Sequence, residues 1–369
     1  MKLVVFQENL IKALTHASRS VASRPQLPVL SHLLLKTDQG RLQISATNLE
    51  IGLNLWLGAK IEKEGALTLP ARLFTEFVAS LPTASLDLTA SESRLSVVCG
   101  SHRADFAGLA ASEFPAVPVA KKKPHLNLTL DQLNFLAVQV VFASATDDSR
   151  PVLTGLLLRP VKGHLQAVAT DGYRLSIKDL GPAAISLPAK GLLLPSRSVL
   201  EVTKIFTGQG DQKIGLFLDS NQLIFAGDEA EVVSRLLEGD FPDFEKIIPS
   251  SAATTITFDR QEMLRSVRLS SIFARDAANI IKCKVSRHGG IKISANAQQV
   301  GKSESTMAVK MTGEENQIAF NSHYLLDFLN STDKEEISLE MTTPLAPGVF
   351  RPVGDASYFH LIMPVRVQE

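Results

Sequence analysis

Leu42-Gln-Ile-Ser-Ala-Thr-Asn48 returns as Leu165-Gln-Ala-Val-Ala-Thr-Asp171 and again as Ile291-Lys-Ile-Ser-Ala-Asn-Ala297. Each copy largely alternates apolar with polar or small residues, the mark of a half-buried strand, and the first two run into residues that favour a turn. The central alanines, Ala46, Ala169 and Ala295, stand 123 and then 126 positions apart. A helix start follows each copy: Pro70-Ala-Arg-Leu-Phe74, Pro195-Ser-Arg-Ser-Val199 and Phe320-Asn-Ser-His-Tyr324, spaced by 125 and 125. An amphipathic helix opens every third, from Phe6 to Leu14, Leu130 to Ala137 and Phe258 to Val267, with apolar residues at three- and four-residue steps. Three features that keep one period make this a triplicated fold.

Between these landmarks Leu86-Asp-Leu-Thr89, Arg94-Leu-Ser-Val-Val98, Lys213-Ile-Gly-Leu-Phe-Leu218 and Gln222-Leu-Ile-Phe-Ala226 read as strands. Gly40, Gly163, Asn221 and Gly289-Gly290 sit where hairpins need positive φ. Pro70 and Pro195 read as first helical positions, where a missing N–H is harmless, with Ser196 and Ser322 able to cap. Each third is thus two helices laid on antiparallel sheet, an α+β class. Extended stretches after Phe114-Pro115 and Ile248-Pro249 set the expected domains at 1–120, 125–248 and 250–369.

With 369 residues the chain exceeds the size at which one core stops growing, which itself requires two or three domains. Its start, MKLVVFQENLIKAL, lacks the n-region and h-region of an export signal, and its apolar runs fall short of the roughly 18 residues that span a bilayer. A soluble, cytoplasmic protein without a membrane partner is expected. Cys99 and Cys283 lie in β-patterned apolar stretches and read as buried structural thiols, with no metal-ligand spacing. Lys plus Arg and Asp plus Glu are both 38, so the formal charge is zero. That excludes a protein that clings to nucleic acid by neutralising many phosphates.

An enzyme is the first rival reading. Asp147-Asp148, Asp171, and Asp240 with Asp243 are the suggestive carboxylates, but no His joins them at ligand spacing and neither HExxH nor GxSxG is present. They read better as turns and caps. Gly208-Gln-Gly210 is a lone GxG without a phosphate-cradling context, and the eight histidines are scattered. No catalytic residue, metal or cofactor is expected. A repeat scaffold that binds proteins but not DNA is the second rival, which the neutral charge permits.

At this point the residues resemble the bacterial DNA polymerase III beta sliding clamp family, over the whole chain. The resemblance rests on Arg24-Pro-Gln-Leu-Pro-Val-Leu30, Thr47-Asn-Leu-Glu50, Pro70-Ala-Arg-Leu-Phe74, Glu113-Phe-Pro115, Thr170-Asp-Gly-Tyr-Arg-Leu175, Gly239-Asp-Phe-Pro-Asp-Phe244 and Ile362-Met-Pro-Val-Arg366, in that order. It implies the DNA-clamp fold: a head-to-tail homodimer whose two sets of three domains close a ring around double-stranded DNA, helices inward and sheets outward. Topological linkage then replaces strong contacts, which suits the zero net charge. The function implied is a non-catalytic processivity factor, loaded by a separate clamp loader and serving the DNA polymerase III alpha subunit and other clients with a linear motif.

The resemblance also implies sites. Weak backbone contacts to DNA fall to Arg24, Arg72, Arg150, Arg197, Arg265 and Arg268, with Arg260 and Arg275 along the same helical segment. The client peptide pocket falls to Leu153, Thr170, Gly172, Tyr173, Arg174 and Leu175 of the second domain and Pro242, Lys246 and Ile247 of the junction. The third domain adds Asn321, Tyr324, Leu345, Met363, Pro364, Val365 and Arg366. Aliphatic anchor sites, a few polar groups and an adaptable Met suit a docked peptide. For Thr170 to Arg174 the plain alternative is an ordinary strand-to-strand turn.

The ring interface falls to Phe106 and Leu109 against Ile272 and Phe273, with Arg94 and Arg103 facing an acid such as Glu304. The alternative for these apolar residues is burial in their own domains. Tyr173 stands where the family often has His, Lys246 where Arg is common, and Gln368-Glu369 run past its usual end. Lys lacks the planar fork that binds a carboxylate bidentately, and Glu369 is expected to repel acidic ligands.

Overall fold

The computed structural model of the chain describes residues 1–22, 27–120, 123–183, 187–207, 213–297 and 301–366. Among the described residues six α-helices form, α1 Gln7–Ala17, α2 Ala71–Ser80, α3 Leu130–Phe135, α4 Ser196–Phe206, α5 Arg260–Ala274 and α6 Ser322–Asn330. They come two to each third, with α1 packed on α2 and α5 on α6. The apolar periodicity explains them: Leu10, Leu14 and Ala17 of α1, and Met263, Val267 and Ala274 of α5, are buried.

The opening helix of the second third departs from expectation. After the six residues of α3, one π turn covers Leu136–Val140 and a 3₁₀ turn Val141–Ala143. The β-branched run Val138, Val140, Val141 is stiff at χ1 and favours a regular α-helix less. The caps differ too. Pro70 precedes α2 in extended conformation, and α6 is capped by Asn321, whose Oδ1 accepts from the His323 N–H at 2.9 Å, not by Ser322. Asp259 caps α5, accepting from the Glu262 N–H at 2.7 Å.

The expected strands form at Ser85–Ser91, Arg94–Cys99, Ile214–Asp219 and Gln222–Ala226. Gly40 and Gly163 have φ of 78° and 83° after Gln39 and Lys162 at 47° and 50°, giving the two-residue turns that match strand twist. In the hairpin after Asp219 the positive φ belongs to Ser220, at 53°, rather than to Asn221.

Packing divides the chain into two units, Met1–Leu130 with Glu201–Leu236, and Asp131–Leu200 with Leu237–Glu369. The central third is shared between them because sheets do not stop at the joints. In the first unit, strand Ile51–Gly58 pairs antiparallel with Ala230–Arg235, making one eight-stranded sheet. In the second unit, Arg174–Pro182 pairs with Tyr358–Ile362, making one nine-stranded sheet. A five-stranded sheet completes the first unit and a four-stranded sheet the second. Cys99 and Cys283 are buried, and burial pushes the Cys283 thiol up to about 12.

Candidate functional site

Thr170 to Arg174 is a turn closed by its own side chains. Thr170 Oγ1 donates to the Arg174 carbonyl at 2.6 Å and accepts from the Gly172 N–H at 3.0 Å, while Asp171 Oδ1 accepts from the N–H groups of Tyr173 and Arg174 at 2.8 and 3.0 Å. The first third builds the same turn from Thr47 and Asn48, with Leu49 at φ 73° where Gly172 has φ 91°. The ordinary-turn reading therefore holds as far as it goes. What distinguishes the second copy is its surroundings.

Tyr173 is thrown into solvent, 64% exposed, whereas Arg174 is buried. The Arg174 guanidinium meets Asp171 Oδ2 at 3.0 Å and Asp327 Oδ2 at 2.5 Å, and lies 4.6 Å from the centre of the Tyr324 ring. Burial, then Asp171, raises the Tyr324 hydroxyl above its usual range. The Met363 N–H donates to the Tyr173 carbonyl at 2.8 Å, and the Val365 N–H to the Ala319 carbonyl at 2.8 Å. Met363 to Val365 thus run between the turn and the strand that leads into α6.

Beneath them lies an apolar cluster of Leu157, Val168, Leu175, Ile177, Phe244 and Leu361, on which Met363 packs from above. Leu153, Thr170 and Leu175 are buried, Leu175 within that cluster; Leu345 is 60% and Ile247 39% exposed. Pro242 is exposed, as is Lys246, whose ammonium pairs with Asp243 at 2.8 Å. Asn321 has its amide oxygen committed to the cap of α6. Arg366 is exposed, while Pro364 and Val365 are half-buried. The structure so brings the turn, the tail and the start of α6 together, on one shared floor.

The arginines read as DNA contacts fall into different settings. Arg24 lies outside the described residues, as do Gln368, Glu369 and Gly208 to Gly210. Arg72 on α2 is highly exposed and pairs with Glu76 at 2.8 Å; Arg197 on α4 is exposed. Arg265 and Arg268 lie with exposed Leu269 and Ile272 on one stripe of α5, opposite its buried side. Arg260 is not free for DNA, since its guanidinium donates to the carbonyls of Lys334 and Leu329 at 2.9 and 3.1 Å. Arg150 stands against the turn, its Nη1 3.5 Å from where a Cβ on Gly172 would lie, which sets it beside the turn rather than on a helix face. Nothing in its coil sequence signals that placement.

Of the interface residues, Phe106 is buried edge-on to Phe74 and Phe77, with ring centres 5.4 and 5.3 Å away, so it packs within its own domain. Leu109 is half-buried, Ile272 is 55% exposed, and Phe273 packs partly on the core beside Gly301. Three of the suggestive carboxylates are engaged locally: Asp147 Oδ1 accepts from the Ser149 N–H at 3.0 Å, Asp171 closes its turn, and Asp243 holds Lys246. Among the described residues no three His, Cys, Asp or Glu side chains converge as a metal site, and no helix is long and apolar enough to cross a membrane.

Residues 1–118, 127–243 and 245–366 match, in turn, the N-terminal, central and C-terminal domains of the DNA polymerase III beta subunit. The chain belongs to that family. It is 31% identical to the beta sliding clamp of Synechocystis, with both chains covered in full. The crystal structure of the DNA polymerase sliding clamp from Bacillus subtilis superposes with a TM-score of 0.94 at 26% identity, and that of the DNA polymerase III subunit beta from Pseudomonas aeruginosa with 0.92 at 28%, each over 100% of both chains. As a beta sliding clamp the chain is a processivity factor of DNA polymerase III in DNA replication and is not an enzyme.

Proposed function

We propose that two copies of this clamp close head to tail into a ring around duplex DNA in the cytoplasm, its six segments supplied by domains 1–120, 125–248 and 250–369. A pattern of strand edges carries this reading. At the first internal joint an outgoing strand of the first third, Ile51–Gly58, pairs with the closing strand of the second, Ala230–Arg235. At the next joint the outgoing Arg174–Pro182 pairs with the closing Tyr358–Ile362. Among the described residues the equivalents left over, outgoing Gly301–Met307 and closing His102–Ala107, each have one neighbouring strand and one open edge. An open edge is a template for another strand, and pairing these two between copies, twice, uses both and closes the ring.

The internal joints also set the register. Leu53 and Ser176 stand opposite Ala46 and Ala169, as Ser303 stands opposite Ala295. Across the joints Leu53 meets Val232 and Ser176 meets His360. Ala104 holds the place of Val232, being opposite Val97 as Val232 is opposite Phe225. Ser303 then meets Ala104 of the partner subunit, which sets Glu304 against Arg103 and Lys302 against Asp105, two opposite-charge pairs. Ile272 and Phe273 flank this seam.

Arg72, Arg197, Arg265 and Arg268 make transient phosphate contacts, and linkage rather than affinity retains the clamp, in keeping with its neutral charge. The turn, tail and α6 site takes the linear motif of the DNA polymerase III alpha subunit, the clamp loader and other clients. Retention on nicked circular DNA after loading with a clamp loader and ATP, followed by gel filtration, tests encirclement. Loss on linearisation is expected; retention that ignores linearisation refutes the ring.

A further inference from the structure

On the exposed face of the four-stranded sheet, Lys282 and Lys284 project from strand Ile280–Ser286, and Lys284 stands directly opposite Lys292 of the next strand. Like charges directly opposite on one face destabilise a sheet. Lys292 is relieved by Glu304 at 2.8 Å, but among the described residues neither Lys282 nor Lys284 has an ion-pair partner. These side chains line an open groove of about 300 Å³ whose lining also includes Glu304, Leu345 and Val365. Leu345 and Val365 also belong to the client site, so the groove begins where that site ends.

We infer that this groove takes an acidic segment flanking the anchor motif of a client, a reading that rests on the proposed client site. Lys282 and Lys284 are two residues apart on one strand face and hence about 7 Å apart along it. An extended segment with acidic residues at alternate positions has the same spacing, and its carboxylates supply counter-charges for Lys282 and Lys284. The pairs are solvent-exposed, so the gain is modest and salt-sensitive. It acts as selection among clients rather than as the source of their affinity.

The test uses fluorescence anisotropy with the intact clamp and three labelled peptides: one with Leu and Phe anchors alone, one extended at either end by Glu-Ser-Glu-Ser, and one extended by Gln-Ser-Gln-Ser. The acidic extension at one end is expected to tighten binding about three- to ten-fold at low salt. That gain disappears in K282A/K284A, which binds the anchor peptide as the parent does and so reports its own folding. Equal affinity for acidic and neutral extensions, or a gain that survives K282A/K284A, overturns the inference while leaving the client site intact. No binding of the anchor peptide defeats the client site and the inference with it. A single-stranded oligonucleotide that binds the parent but not the variant, with no effect of the acidic extension, assigns the groove to nucleic acid instead.

Discussion

Arg174, in the turn of the second third, binds Asp327 of α6 in the last third with Nη1 and Oδ2 2.5 Å apart. The same guanidinium is held by Asp171 at 3.0 Å and lies over the Tyr324 ring, so one buried fork fixes the turn that displays Tyr173 to the helix that borders it. Breaking a buried charge pair from one side leaves the other charge without compensation, although Asp327 is 46% exposed and can hydrate. Arg174→Ala is therefore expected to lower stability by about 2–3 kcal/mol in urea unfolding and to weaken client peptides. Arg174→Lys should recover little of either, because an ammonium cannot bridge two carboxylates and stack on a ring at once.

The register derived for the ring seam makes a charge-swap test possible. Arg103→Glu places a carboxylate against Glu304 of the partner subunit, and light scattering should report monomers at micromolar concentration. Adding Glu304→Arg restores opposite charges and should restore the dimer. Recovery by the double variant is what separates this register from a shifted one, in which the two changes add.

The parts legible in the sequence were those with local causes. Thr47 and Thr170 close the same turn with the same atoms, and the apolar steps of α1 and α5 announce helices because only one side of each meets a core. The sheets that run across the joints were not legible. Leu53 pairs with Val232 and Ser176 with His360, residues nearly two hundred positions away, and such pairing leaves no periodic trace. Asp327 was missed as a partner of the turn, and Arg150 was read as a DNA contact rather than as its neighbour, for a related reason: both are placed by folding rather than by motif. Lys282 and Lys284 alternate with buried neighbours, as any solvent-facing strand residues do; only the opposing Lys292 gives them meaning.

Acid should weaken the second unit through His360. It is fully buried, with Nδ1 2.7 Å from Ser176 Oγ and its ring stacked 5.2 Å from that of Phe328. Burial, reinforced by Arg174, holds its pKa well below the ordinary 6.5. The folded chain keeps the imidazole neutral while the unfolded chain takes a proton, so its contribution is complete above pH 6.5 and declines as pH falls below that value. His360→Gln removes the titration. The variant should be less stable than the parent at pH 7, with the gap closing by about 1.4 kcal/mol per pH unit below 6.5 in urea titrations; parallel pH profiles would exclude His360 as the cause.

Arg265 and Arg268 share the exposed stripe of α5, though Arg268 Nη2 also lies 3.4 Å from Asn330 Oδ1. R265E/R268E should reduce loader-independent binding to short duplex DNA and flatten its salt dependence by about one to two in the log–log slope. The dimer should be unaffected, since the charge pairs proposed for the seam involve neither arginine.

Client affinity should depend on exposed apolar groups more than on the charge beside them. Tyr173 and Leu345 are 64% and 60% exposed in the free chain and are the large groups that a docked peptide can newly bury. Lys246 is 82% exposed along its side chain and already paired with Asp243, so a ligand carboxylate must compete with that partner and with water. Tyr173→Ala and Leu345→Ala are each expected to weaken an anchor peptide with Leu and Phe by about ten-fold in fluorescence anisotropy, whereas Lys246→Ala should change it less than about three-fold. A loss at Lys246 as large as that at Tyr173 would mean that the junction holds the peptide through its charge, and that the apolar floor beneath Met363 is not where the anchors sit.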